Sequence, residues 1–397
     1  SLEPAPGEAA VANGSIVDVV SRKGSYLGSG LLSEKSKIRI RLITRNANDR
    51  FDRAFWKRKV QWAWNYRKTV MGADASACRV LFSEADGFPG LVVDRFEDVL
   101  VAETLSVGME RLKPMIFPAL LEVLAEDGIA IRGLYERNDA STRSLEGLAQ
   151  TAGWFAGAAE DAACSLDPIN PSQPEAAVFG PTTTQIMENG VRYEVDFENG
   201  QKTGFFLDQK YNRRAVAQLA AGRRVLDCFT HTGSFALNAA HGGAEYVNAV
   251  DVSELAVAQA RKNAQLNELD GKMDFTAANV FDLLPQLEAA HGRTYDFIVL
   301  DPPAFTKSRK TIDSAARGYK EINYRAMKLL PRGGYLATCS CSHFMDTERF
   351  RRVVSYAAQD AGVQLRQIEE RQQAPDHPIL WGVPETDYLK FFLFQVV

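Results

Sequence analysis

Cys339 and Cys341 stand one residue apart at the end of an apolar run that reads LATCSCSH from Leu336 to His343. The 397-residue chain has five cysteines in all, so two at one strand tip ask for a chemical reason. A thiolate can add to carbon 6 of a pyrimidine, which turns the poorly nucleophilic carbon 5 into an enamine-like attacker. Forty positions before Cys341, the run YDFIVLDPPAF carries an acid, two prolines and an aromatic, Asp301 to Phe305. Asp301 can accept a hydrogen bond from a base amino group or share a proton at the base edge. The prolines stiffen the turn, and Phe305 can stack on a base swung out of its helix. Taken alone, this second motif fits methylation of an exocyclic amino group, which needs no cysteine. A disulfide between residues i and i+2 of an extended strand is poorly placed, and no second Cys or His cluster completes a zinc site. Two buried apolar thiols are the plain alternative.

The elements that must hold these residues are regular after Gln201. Apolar strands alternate with helices through RRVLDCF, YVNAVDVS, MDFTAAN, YDFIVLDPP, GGYLATCSCS, VQLRQI and YLKFFLFQVV. Such alternation predicts an α/β fold with a mostly parallel sheet covered on both faces. The last two runs lack an intervening helix and should pair antiparallel. If β-strand four lies beside strand five, Asp301 and the cysteine tip face one pocket, with both cysteines on the same face of the strand. Ligands in such sheets sit beyond the carboxyl ends of the strands, where the strand order reverses.

The first strand ends in DCFTHTGSFAL, Asp227 to Leu237, with no G-x-G-x-x-G to bring backbone against a pyrophosphate. Asp227 there suits the ammonium of an amino-acid tail. Asp251, 24 positions on, is placed for two ribose hydroxyls. Asn279 can meet an adenine edge and Phe281 its face. Tail, ribose and adenine together describe S-adenosylmethionine, with Phe229, Gly233 and Asp301 completing the expected pocket. Asp227 as a helix cap and Phe281 as core are the structural alternatives. The region resembles the class I S-adenosylmethionine-dependent methyltransferases.

The rest of the chain is less regular. Ser15 to Thr44 holds short β-like runs broken by glycines, as in a small barrel. FDRAFWKRKVQWAWNYRKTV is helical, with Phe51, Phe55, Trp62 and Tyr66 on one expected apolar stripe. Strands and a helix from Met109 to Leu124 follow, interrupted by the loose stretch SLDPINPSQPEAAVFGP, and NGVRYEVDFENG reads as a hairpin. From Arg22 to Lys68 there are 14 Lys and Arg against three acids, a local balance of +11 inside a chain of net charge -4. A basic end on an acidic protein predicts a polyanion partner, with Lys57, Arg58, Lys59 and the Lys307-Ser308-Arg309-Lys310 loop as candidate contacts. A merely solvated basic surface is the alternative. No apolar run is long enough to span a membrane. Scattered, odd-numbered cysteines predict the reducing cytoplasm.

Seven quoted stretches together resemble the bacterial large-subunit ribosomal RNA cytosine-5 methyltransferases of the methyltransferase I type. They are GSIVDVVSRKGSYLGSGLLSEKSKIRIRLIT, DGFPGLVVDRF, QKTGFFLDQKYNR, DCFTHTGSFAL, LDPPAFTKSRK, CSCSH and DHPILWGVPETDYLK. The resemblance implies a PUA-like RNA-binding barrel over 1–48, a linker helix over 49–72, a central α+β domain over 73–198 and a Rossmann-like methyltransferase domain over 199–397. It implies that GFFLDQK lines the cofactor pocket through Gln209. The basic Pro-Trp-Ile-Phe segment that usually opens the PUA domain is missing, so that barrel is expected to be incomplete, and the chain begins at Ser1 rather than Met. Counted from Gly333-Gly334, the cysteine of the similar RNA 5-methylcytosine pattern falls on Cys341, with Cys339 in support. Large-subunit ribosomal RNA is the expected partner, and a homodimer stays open. The competing functions are an amino-group methyltransferase using Asp301 to Phe305 and a non-catalytic RNA-binding assembly factor.

Overall fold

Three short strands, Ile16–Val20, Tyr26–Leu32 and Ile40–Thr44, form an antiparallel meander. Gly28 has φ +147, and a Cβ there would come 2.7 Å from the Thr44 carbonyl oxygen, so only glycine lets the second and third strands close. The computed structural model describes residues 11–156, 179–290, 294–306 and 308–397. They form two units: the described residues up to 186, with 194–207 and 375–383, in the first, and 187–193, the described residues of 208–374, and 384–397 in the second.

In the first unit, the helix Arg53–Met71 starts at Asp52, whose side chain accepts from the Phe55 N–H at 2.9 Å. Its buried face is Phe55, Trp56, Val60, Ala63, Trp64, Arg67 and Met71. The expected stripe is therefore only half right. Trp62 is 60% exposed and Tyr66 38%, because Trp56 and Trp64 turn inward, Trp56 against Phe88 at 5.7 Å. Arg67 is wholly buried and fully bonded, to Asp86 at 2.6 and 2.7 Å and to the carbonyls of Arg79 and Asp376 at 2.8 and 2.9 Å. One of the basic residues counted above thus serves the fold, since a buried guanidinium is tolerated only when its donors are matched. The five-stranded sheet runs Ala77–Phe82, Leu91–Phe96, Val99–Thr104, Gly133–Asn138 and Thr151–Trp154 in chain order. Its third and fourth strands are parallel and are joined by the helix Val107–Glu126. Most of the loose stretch SLDPINPSQPEAAVFGP lies outside the described residues. The expected hairpin is a two-stranded sheet of Thr183–Glu188 and Val191–Asp196, whose turn end, residues 187–193, is counted with the second unit. Asn189-Gly190, at φ +53 and +83, forms its turn rather than the start of its first strand.

In the second unit the elements are α1 (Lys210–Leu219), β1 (Arg224–Cys228), α2 (Ser234–His241), β2 (Tyr246–Asp251), α3 (Glu254–Leu266), β3 (Met273–Ala277) and α4 (Val280–Ala289). They continue with β4 (Phe297–Leu300), α5 (Ile312–Leu329), β5 (Tyr335–Ser340), α6 (Thr347–Ala361), β6 (Leu365–Arg371) and β7 (Lys390–Val396). The sheet order is β3-β2-β1-β4-β5-β7-β6. The first five are parallel, and β7 enters antiparallel to both β5 and β6, as the missing helix predicts. Near-continuous apolar strands result from burial on both faces. Leu226, Ile298, Leu336, Tyr319, Phe350 and Phe392 share one core, each large apolar side chain contributing roughly 1.5–3 kcal/mol relative to exposure. The order reverses between β1 and β4, which opens a crevice at their carboxyl ends. No helix among the described residues is long and apolar enough to cross a membrane.

Candidate active site

The crevice begins with the loop after β1. Phe229, His231 and Gly233 all have positive φ (+65, +51 and +85), so the chain coils tightly before α2. Gly233 also touches α3 closely, since a Cβ there would sit 2.9 Å from the Ala260 Cβ. The loop folds around Asp227, which is fully buried. One carboxylate oxygen accepts from Thr230 Oγ1 at 2.5 Å and from the Ala236 N–H at 2.9 Å, while the other, Oδ1, has no partner. Burial, above all, pushes Asp227 up to about 7, with Asp301 and Asp251 adding repulsion. An orphaned, buried carboxylate oxygen fits an incoming ammonium, which would satisfy it and offset its desolvation.

Asp251 ends β2 and accepts from the backbone N–H of His231 at 2.9 Å and of Ser253 at 3.0 Å, one on each oxygen. Each oxygen keeps a second lone pair for a hydroxyl. Asn279, exposed at the N-cap of α4, accepts from the Phe281 N–H at 3.1 Å. Phe281 is 38% exposed, with its ring 5.7 Å from Phe305. Phe305 in turn lies 4.6 Å from Tyr319 and 6.4 Å from Phe229. The strand ends thus gather Asp227, Phe229, Gly233, Asp251, Asn279, Phe281, Asp301 and Phe305 into one region. Phe305 rests there in an aromatic cluster instead of standing open.

Asp301 follows β4 directly. Its Oδ1 accepts from Gln209 Nε2 at 2.9 Å, and Gln209 is itself positioned by Asn212, which donates to its side-chain oxygen at 2.6 Å. Burial and then the neighbouring carboxylate of Asp208 push Asp301 up to about 7, against the pull of Arg213, Gln209 and the Cys339 thiol. Arg213 is held by Glu188 at 2.6 and 2.8 Å.

The two cysteines part company here. β5 ends at Ser340, so Cys339 lies inside the ladder opposite Phe391 and is fully buried. Cys341 lies one residue past the strand and is partly exposed. The strand stops between them, so Cys341 lies outside the regular ladder in which alternation sets the side-chain face. Burial and Asp301 raise the Cys339 thiol well above its usual range. The Cys341 thiol points to the Pro302 carbonyl at 3.9 Å, directly beside Asp301. Burial, Asp301 and Asp208 push it up to about 12, opposed by Lys390. Spacing alone does not pick out Asp208 or Lys390. The one visible hint was a lysine opening the apolar run KFFLFQVV.

The basic candidates separate as well. Lys57 is bonded to Glu122 and Glu126, each at 2.6 Å. Lys59 lies over the Phe55 and Phe88 rings, where burial lowers its ammonium. Arg58 is exposed and lies 5.7 Å from the Trp62 ring. Arg309 and Lys310 are exposed in the turn before α5, and Lys307 is outside the described residues.

A reversed seventh strand in this order, with an acid ending each of the first two strands, is the fold of a class I methyltransferase. A family model described as S-adenosylmethionine-dependent methyltransferase matches residues 132–394, and one described as a PUA-like domain matches residues 2–45. Over 386 residues the chain is 38% identical to ribosomal RNA large subunit methyltransferase I of Aliivibrio fischeri, covering 97% of this chain and 91% of that one. The protein of the same description from Cronobacter sakazakii is 37% identical over 98% of this chain and 92% of that one. A solved SAM-dependent methyltransferase from Streptococcus mutans superposes with TM-score 0.78 at 22% identity, covering 98% and 93% of the two chains. The chain belongs to the S-adenosylmethionine-dependent methyltransferase family of ribosomal RNA large subunit methyltransferase I. Its cofactor is S-adenosylmethionine.

Proposed function

We propose that this protein methylates carbon 5 of a cytosine in large-subunit ribosomal RNA, with Cys341 as a transient covalent nucleophile. The names of relatives at 37–38% identity support the RNA class. The observation that carries the chemistry is the position of Cys341, the one described cysteine that is not buried, with its thiol against the Asp301–Pro302 segment.

Asp227 would hold the cofactor's ammonium, Asp251 its ribose, and Asn279 with Phe281 its adenine. When bound, S-adenosylmethionine supplies the methyl group that carbon 5 accepts. The Cys341 thiol gives up its proton to solvent, and Sγ forms a bond to carbon 6, moving an electron pair toward carbon 5. After methylation, the carbon-5 proton passes to solvent, the carbon–hydrogen pair re-forms the ring double bond, and the carbon–sulfur bond breaks to return the thiolate. Asp301 shares a proton with the base edge and so stabilises the ring while sulfur is attached. That proton also removes one of the negative charges that keep the resting Cys341 thiol protonated. Binding of the base and activation of the nucleophile are thereby coupled.

RNA carrying 5-fluorocytosine tests this directly, because fluorine cannot leave as the carbon-5 proton does. A covalent adduct mapped by mass spectrometry to Cys341 is the expected result. An adduct on Cys339 would move the nucleophile, and methylation of an amino group without any adduct would replace the mechanism with the amino-group reading of Asp301 to Phe305.

RNA affinity should fall steeply with salt, since Lys and Arg contacts to phosphates release counterions. Arg309→Gln and Lys310→Gln should each lower the slope of log affinity against log salt by about one, and Arg58→Gln, whose guanidinium has Asp49 at 3.9 Å, by less. Lys57→Gln should leave it unchanged, because Glu122 and Glu126 already neutralise that ammonium. Equal slopes for all four variants in filter binding would place the RNA elsewhere.

A further inference from the structure

Lys390 is the first residue of β7, paired in register with Ser340, the last residue of β5. Its side chain reaches the segment just past that strand end. The ammonium donates to the Ser342 carbonyl at 2.7 Å and to the Tyr388 carbonyl at 2.8 Å. Lys390 is 4% exposed. Among the described residues it forms no ion pair with a carboxylate within 4.0 Å. A buried ammonium lacking a counter-ion is costly to keep, and two carbonyls leave one of its three protons uncommitted. The anion the reaction creates beside it is the sulfur of Cys341, which adjoins the Ser342 carbonyl it grips.

We propose that Lys390 is the positioning residue for the nucleophile: it clamps the backbone after Cys341 and is the counter-ion for the Cys341 thiolate. This rests on Cys341 being the nucleophile. The groups facing the sulfur are Asp301, Asp208, Cys339, Tyr319 and Lys390. Those facing the ammonium are Cys341, Asp387 and Asp346. Among the described residues facing the sulfur, Lys390 is the cation, against the carboxylates of Asp301 and Asp208. Burial pulls that ammonium down to about 8, and Cys341, Asp387 and Asp346 pull it up.

Three variants separate charge from packing. Lys390→Met keeps bulk and removes both charge and donors, Lys390→Gln keeps donors without charge, and Lys390→Arg keeps both. The readout is iodoacetamide alkylation at fixed pH, followed at the Cys341 peptide by mass spectrometry, alongside the pH profile of single-turnover methylation. Met and Gln should slow alkylation about tenfold and move the rising limb of the profile upward by about one pH unit, with Arg close to wild type. Affinity for S-adenosylhomocysteine should be unchanged in all three, which reports intact folding. Wild-type alkylation in both Met and Gln variants would overturn the proposal, and so would rescue by Gln, which would reduce Lys390 to holding two carbonyls. Should Met fail to fold, the Gln and Arg variants still decide. Methylation surviving in Cys341→Ala is a separate failure, of the cysteine mechanism itself.

Discussion

Cys341→Ala is expected to abolish methyl transfer, on the order of a thousandfold or more, while S-adenosylhomocysteine binds as in the wild type. The substitution removes the atom that activates the ring and leaves Asp227 and Asp251 untouched, so the loss falls on the chemical step. Cys339→Ala should behave differently. Its sulfur is wholly buried, inside the strand in register with Phe391, and interacts with Asp301. Activity should stay within about tenfold of wild type, and the melting temperature should drop, as deleting a buried side-chain group costs roughly 1 kcal/mol. Single-turnover assays with calorimetry for the cofactor product separate the two. A Cys341→Ala enzyme that still forms 5-methylcytosine would end the covalent mechanism, and equal losses in both variants would point to a shared structural role.

Asp227→Asn should weaken S-adenosylhomocysteine binding by about tenfold to a hundredfold, the loss of one charge-assisted hydrogen bond in a dry site. The pH dependence gives the sharper test. The buried carboxyl is pushed up from 3.8 to about 7 in the cofactor-free fold. An ammonium requires it ionised, so wild-type affinity should be flat above about pH 7 and fall as pH drops below it, with proton uptake by the protein opposing binding. Asp227→Asn should flatten that limb. The sign for stability is the reverse. The folded pKa lies above the unfolded one, so the folded state binds the extra proton between about 4 and 7. The stability tied to Asp227 is fully present below about pH 4 and is lost as pH rises through about 7. Cofactor-free protein should therefore lose melting temperature over that window, and S-adenosylhomocysteine should restore it. Asp301, also pushed up to about 7, contributes in the same direction, so Asp227→Asn alone should remove only part of the slope. A pH-independent affinity in the wild type would take Asp227 out of the cofactor site.

Much of the catalytic unit is legible without coordinates, and the reason is local. RRVLDC, YVNAVD and DFIVLD each set an acid directly after a buried apolar run, so Asp227, Asp251 and Asp301 announce both the strand and its ligand-facing end. The absence of a helix between VQLRQI and YLKFFLFQVV is enough to predict the antiparallel β6–β7 pair. What spacing could not tell is which residues meet across long stretches of chain. Lys57 and Arg58 look alike in the run WKRK, yet Glu122 and Glu126, brought by the neighbouring helix, pair closely with the first, while the second is exposed with only Asp49 at 3.9 Å. Cys339 and Cys341 look equivalent in LATCSCSH, and alternation would put them on one face. The ladder separates them by burial: the last registered pair of β5 and β7 is Ser340 with Lys390, so Cys339 lies inside the strand and is wholly buried, while Cys341 lies past its end with its thiol 3.9 Å from the Pro302 carbonyl. Strand identity follows from the hydrophobic pattern of one segment. Where a strand stops, and which charge waits beyond its end, follows from the partner strand some 50 residues away, a packing constraint that local spacing does not carry.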